Sequence, residues 1–133
     1  MIIMYFEIKD EALLSGTTLA YLGDAVLELI TRQYLLSKGV TGVGKLNSMA
    51  LSYVKATAQS EALQKMLPYL TEEETHIFKR GRNAHGVSIP KSASASQYRR
   101  ATGLEALFAH LYMTGKHERM KELFVIGFCT ENE

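Results

Sequence analysis

The chain has 133 residues, of which 47% are hydrophobic and 22% are charged, with a formal net charge of +1. This length and composition fit one globular domain with a core of its own. No apolar run reaches the 18 or more residues of a membrane span, and the single Cys129 excludes an internal disulfide framework. The apolar N-terminus lacks the basic start and cleavage site of a signal peptide, so we expect a cytoplasmic protein.

Apolar residues recur at helical spacing along the chain, and no segment alternates like a β-strand. Helices are predicted from about Thr18 to Ser37, from Lys45 to about Leu67, from Thr71 to about Gly81, from about Tyr98 to Gly115, and around Met120 to Phe128. Thr71 and Glu74 have the spacing of a capping box. The span from Arg82 to Gln97 is predicted to be mainly loop, and a loop of this length is usually functional. We therefore predict an all-α bundle of about six or seven helices.

The net charge conceals an asymmetry along the chain. The segment from Thr75 to Leu104 carries six cations and no acid, so the remaining residues together carry −5. Its cations are Lys79, Arg80, Arg82, Lys91, Arg99 and Arg100. Two interpretations stay open: a surface that faces a polyanion, or a solvated basic loop balanced by acids elsewhere in the fold.

Two acids interrupt the apolar first helix. Asp24 and Glu28 are four residues apart and share one face, where like charges repel. Gly23 weakens a helix interior and often marks the close approach of another backbone or a ligand. Either the acids form a narrow solvated stripe, or Asp24 points into a cleft and holds a cation.

A third acid, Glu105, borders the apolar stripe of the helix that is predicted to begin near Tyr98. By itself this position is typical of a rim carboxylate whose stem is packed and whose head is in water. The residues that surround Asp24 and Glu105 indicate more about function than the positions of the two acids do.

Two motifs resemble those of one enzyme family. Tyr21-Leu22-Gly23-Asp24-Ala25-Val26-Leu27 resembles the signature helix of the ribonuclease III family, and Tyr98 to Leu107 is similar to the motif that supplies its second catalytic acid. The acids stand about eighty residues apart, in the family's order. From roughly Lys9 to Phe128 the chain resembles the small bacterial branch of this family called Mini-ribonuclease III. The segments that carry this resemblance are Leu51–Gln59, Lys79–Ala84 and Pro90-Lys91.

The resemblance implies one ribonuclease III-type catalytic domain over residues 1–133, without an appended double-stranded RNA-binding domain. It implies an Mg²⁺-dependent endoribonuclease that cleaves double-stranded RNA as a homodimer and matures the ends of the large-subunit (23S) ribosomal RNA precursor. Mn²⁺ is a candidate substitute for Mg²⁺, and a ribosomal protein is a candidate helper. Asp24 and Glu105 would be the catalytic metal ligands, with Glu28 a weaker candidate. The six cations between Thr75 and Leu104, Lys91 among them, would bind RNA.

The chain departs from the full-length family where Thr17, Ala20 and Thr102 replace further acids, which leaves the binding of a second metal open. A rival hypothesis is a non-catalytic RNA- or ribosome-binding module on the same fold. Such a module has no reason to keep both Asp24 and Glu105. A helical protein-interaction domain without RNA ranks last, because it leaves the acid-free basic segment unexplained.

Overall fold

The computed structural model describes residues 6–84 and 94–129, which form six α-helices and no β-strand. The helices are α1 (Gly16–Ser37), α2 (Val43–Val54), α3 (Ala56–Met66), α4 (Glu72–Arg82), α5 (Ala95–Met113) and α6 (His117–Phe128), with 3₁₀ turns at Glu11–Leu13 and Leu67–Tyr69. The prediction of an all-α bundle is confirmed. Within these residues, none of the helices has the length and hydropathy that crossing a membrane requires.

Helix α5 lies at the centre of the bundle, where it packs against α1, α3 and α4. Four of its large apolar side chains have no exposed surface: Leu104, Leu107, Phe108 and Leu111. Burial of this size is the main source of stability in a domain of this length. Glu105 belongs to the same buried stretch of α5, so the packing of the core fixes its backbone.

Local capping explains where three helices begin. Ser15 accepts a hydrogen bond from the Thr18 backbone N–H at 3.0 Å, which starts α1 two residues before the predicted position. The predicted capping box of Thr71 and Glu74 is confirmed at the start of α4. A second capping box, of Ser94 and Gln97, starts α5 three residues earlier than predicted.

The prediction of one helix from Lys45 to about Leu67 was wrong, because the chain breaks at Lys55. Its backbone is extended, with φ −69° and ψ 153°, and separates α2 from α3. The Gln59 side chain stabilises this junction, since its Nε2 donates to the Val54 carbonyl at 2.9 Å. Helix α3 can then pack along α5.

The predicted loop from Arg82 to Gln97 is only partly described. Helix α4 ends at Arg82 and α5 begins at Ala95, and residues 85–93 lie outside the described ranges. The candidate RNA-binding residue Lys91 belongs to that segment.

Candidate active site

The site begins where α1 and α5 come into backbone contact. A Cβ added to Gly23 would overlap the carbonyl group of Glu105 and lie 2.9 Å from its Cα. Only glycine allows this approach, so the expectation that another backbone lies against Gly23 is confirmed. Asp24 follows directly in α1, and the contact brings it beside Glu105.

The carboxyl groups of Asp24 and Glu105 lie close enough to act on each other. Asp24 is exposed and Glu105 is half-buried. Burial raises the pKa of Glu105 to about 8, with further contributions from the Asp24 charge and from the hydrogen bond to Asp24. A hydrogen bond from the Gln59 side chain acts in the opposite direction. Without a cation, Glu105 therefore keeps its proton near neutral pH.

This donor set fits a hard divalent cation. Two carboxylates side by side need a positive partner, and a cation can take the place of the Glu105 proton. No group of three or more His, Cys, Asp or Glu side chains that could hold a metal occurs in the part of the chain that is described. Mg²⁺ suits such a site, because it commonly takes one or two carboxylates and keeps several waters.

The neighbouring positions contribute no further free acid. Glu28 lies one turn after Asp24, and its carboxylate pairs with Arg32 at 2.9 Å across the helix surface. Thr102, where the full-length family has an acid, is buried and donates its hydroxyl to the Tyr98 carbonyl at 3.0 Å. The described geometry thus converges on Asp24 and Glu105.

We expect Glu105 to make the metal-free protein less stable as pH rises. Its folded-state pKa of about 8 lies above the ordinary 4.5, so the stabilisation of the protonated form is complete below pH 4.5 and is lost as pH rises through 8. Relative to a Glu105→Gln variant, the wild type should lose roughly 2 to 4 kcal/mol between about pH 5 and about pH 9. Urea denaturation in a chelator measures both proteins, and parallel pH profiles would contradict the raised pKa of Glu105.

The basic residues do not all have the same environment. Four of the six cations, Lys79, Arg82, Arg99 and Arg100, line one groove between α4 and the start of α5. Arg82 lies over the Phe78 ring, 5.4 Å from its centre, and Arg100 Nε donates to Ser60 Oγ at 2.7 Å. Arg99 is exposed, as is Lys79.

Arg80 has an intramolecular role. Its guanidinium donates to the carbonyl of Leu14 and, at 3.4 Å, to that of Ala12, which ties α4 to the segment before α1. Charge alone could not distinguish Arg80 from its neighbours in the sequence.

The groove and the acids lie on different sides of α5. At 3.6 residues per turn, Arg99 and Arg100 are about 120° and 140° around the helix from Glu105. The groove is therefore a separate surface beside the acid pair rather than a wall of the same cleft.

The chain is similar to known proteins of one family. The Ribonuclease III domain family model matches residues 17–116. The Mini-ribonuclease 3 of Symbiobacterium thermophilum is 48% identical over 106 residues, covering 80% of this chain and 82% of its own. The Mini-ribonuclease 3 of Enterococcus faecalis is 45% identical over 123 residues, which cover 91% of this chain and 92% of that relative. A crystal structure of a Fusobacterium nucleatum protein has a TM-score of 0.80 at 36% identity, covering 90% of this chain and 95% of that one.

The helical fold and these similarities identify an endoribonuclease domain. The chain belongs to the ribonuclease III family, in its Mini-ribonuclease III branch.

Sequence reasoning did not identify Gln59 as part of this site. It is buried, and its side chain acts on the pKa of Glu105. The sequence does show an amide on an otherwise apolar face of α3, which is an unusual place for one. It does not show that Glu105, 46 positions further along the chain, lies near this amide.

Proposed function

We propose that this protein is an Mg²⁺-dependent endoribonuclease that cleaves double-stranded RNA as a homodimer. The class, endoribonuclease, follows from its family. The single observation that carries the proposal is the contact between the Asp24 and Glu105 carboxyls, which Gly23 makes attainable. A purely RNA-binding module would have no use for two acids held together at a like-charge penalty.

The chain's own groups have definable tasks in this reaction. Asp24 and Glu105 would hold the cation in place of the Glu105 proton, and the rigid α1–α5 contact fixes the spacing between them. When bound, Mg²⁺ supplies an activated water near neutral pH and offsets negative charge on the phosphate. Mn²⁺ is a suitable substitute, since carboxylate and water ligands also suit it.

The groove residues supply the affinity for RNA. Double-stranded RNA is recognised mainly by shape, 2′-hydroxyls and phosphates, so cations matter more than base-reading side chains. We assign this role to Lys79, Arg82, Arg99 and Arg100, with Lys91 as a further candidate from the sequence. Arg80 would contribute indirectly, by holding the segment before α1.

An exposed apolar face on α1 supports the homodimer. Tyr21, which lies about one turn before Asp24, is 85% exposed, and Leu29 is 54% exposed about 80° around the helix from Tyr21. A second copy of the chain that covered this face would bring the two acid pairs of the dimer near each other. This arrangement suits a duplex, because each acid pair could cut one of its two strands.

The biological substrate is proposed from the family resemblance. It is the precursor of the large-subunit (23S) ribosomal RNA, whose ends the enzyme would mature in the cytoplasm, with a ribosomal protein as a candidate helper.

The test of the proposed function is cleavage of a long, labelled RNA duplex with Mg²⁺, beside a single strand of the same sequence and a Ca²⁺ reaction. We expect cutting of the duplex with Mg²⁺, and intact RNA in both other reactions. Binding of the duplex without cutting under Mg²⁺ or Mn²⁺ would favour a non-catalytic RNA-binding module.

The groove can be tested through the salt dependence of RNA binding. We expect the double variant Lys79→Ala/Arg99→Ala to bind duplex more weakly at physiological salt and to lower the salt slope by about 2 units, because each lost phosphate contact lowers it by about 1. A matched control is Lys45→Ala/Lys121→Ala, which removes two exposed lysines from α2 and α6. Equal slopes for all three proteins would show that the groove faces away from RNA.

A further inference from the structure

The side chain of Gln59, which acts on Glu105, is in an unusual hydrogen-bonding state. Gln59 is 2% exposed, and its Nε2 donates to the Val54 carbonyl at 2.9 Å. Its side chain also acts on the pKa of the Glu105 carboxyl, so the two groups lie near each other. Its Oε1, in contrast, is the one buried side-chain nitrogen or oxygen within residues 6–84 and 94–129 that has no hydrogen-bond partner.

The chemistry of the amide fixes its orientation. The Val54 carbonyl can only accept, so the NH₂ group must face it, and a reversed amide would place two oxygens together. The Gln59 side chain also acts on the Glu105 carboxyl, and the NH₂ group is the part of an amide that can donate to a carboxylate. With the NH₂ group facing Val54, Oε1 remains a buried acceptor without a donor.

Such an acceptor needs an explanation, because a buried polar group without a partner is destabilising. The carbonyls of α2 are acceptors only and offer no proton to it. A donor that arrives together with a ligand of the acid pair would satisfy Oε1. Hydrated Mg²⁺ brings such donors, since it keeps several of its waters when it binds.

We propose that Gln59 is a positioning residue of the cation site: its N–H orients the Glu105 carboxylate, and its Oε1 accepts a hydrogen bond from a water molecule that hydrates the cation. This role rests on the proposed function. It follows the general pattern in which a neighbouring hydrogen-bonding group orients a metal ligand. The competing interpretation is that Gln59 only stabilises the break at Lys55, through Val54.

The first test is Gln59→Met, which keeps the length and the packing of the side chain and removes its amide. We expect Mn²⁺ affinity without RNA, measured by electron paramagnetic resonance, to fall about tenfold. We also expect kcat to fall while the KM for duplex RNA stays within about twofold, because the groove is unchanged.

The matched control is Ser60→Ala, the next residue of α3. Ser60 is also 2% exposed, and it accepts a hydrogen bond from Arg100 instead of contacting the acids. This variant should lower stability and leave Mn²⁺ affinity unchanged. If Gln59→Met loses stability but binds Mn²⁺ as tightly as the wild type, Gln59 serves only the junction and the proposal is overturned.

A second test uses the wild type, so it holds even if Gln59→Met fails to fold. With ¹⁵N-labelled glutamine, Mg²⁺ should shift the side-chain NH₂ signals of Gln59, and Asp24→Asn should abolish the shift. Gln33, Gln64 and Gln97 serve as internal references. Mn²⁺ uptake with unmoved Gln59 signals overturns this role alone, whereas a wild type that takes up no cation overturns the proposed function and this role together.

Discussion

Gly23→Ala should destabilise the protein by more than about 3 kcal/mol and reduce duplex cleavage by at least about 100-fold. The added methyl group would overlap the carbonyl of Glu105, and backbone cannot move aside as the end of a flexible side chain can. Helices α1 and α5 would have to separate, which also separates Asp24 from Glu105. Urea denaturation and a cleavage assay measure the two effects.

The control for this substitution is Gly44→Ala in α2. Nothing lies within 4 Å of the added Cβ, so its stability should stay within about 1 kcal/mol of the wild type. A Gly23→Ala protein with wild-type stability and activity would show that the two helices do not meet as described.

Asp24→Asn and Glu105→Gln should each reduce cleavage by about three orders of magnitude or more, because each removes one of the two carboxylates proposed to hold the cation. Both changes nearly conserve side-chain volume, and RNA affinity comes from the groove. Folding and duplex binding should therefore remain. Single-turnover cleavage and a binding assay in Ca²⁺ separate chemistry from affinity.

Glu28→Gln provides the matched control, with the same carboxyl-to-amide change one turn further along α1. Its exposed ion pair with Arg32 is worth at most about 1 kcal/mol, so most of the activity should remain. Activity retained by Asp24→Asn would remove that residue from the metal site, and activity lost by Glu28→Gln would add a third acid to it.

Much of this site could be predicted from sequence because its information is local. The two acids lie in motifs of seven and ten residues. A glycine in a helix interior, such as Gly23, often marks the close approach of another group. The capping box at Thr71 likewise depends on residues three apart. Features of this kind need no knowledge of the tertiary structure.

The rest depends on residues that are distant in the chain. The break at Lys55 carries no proline or glycine, and the junction is stabilised by a side chain that also contacts α5. From the sequence, Arg80 cannot be distinguished from the cations around it. Its role follows from the carbonyls of Ala12 and Leu14, which accept its hydrogen bonds in the folded chain. Gln59 could not be connected with Glu105 before α3 was known to pack along α5.

The central claim is that Asp24 and Glu105 together hold a divalent cation. Anomalous diffraction from crystals of the wild-type protein soaked in Mn²⁺ tests it most directly. The strongest peak should lie at a direct coordination distance, about 2.1 Å, from a carboxylate oxygen of each residue. A peak elsewhere, with the two carboxyls still hydrogen-bonded to each other, would contradict the assignment of this pair as the metal centre.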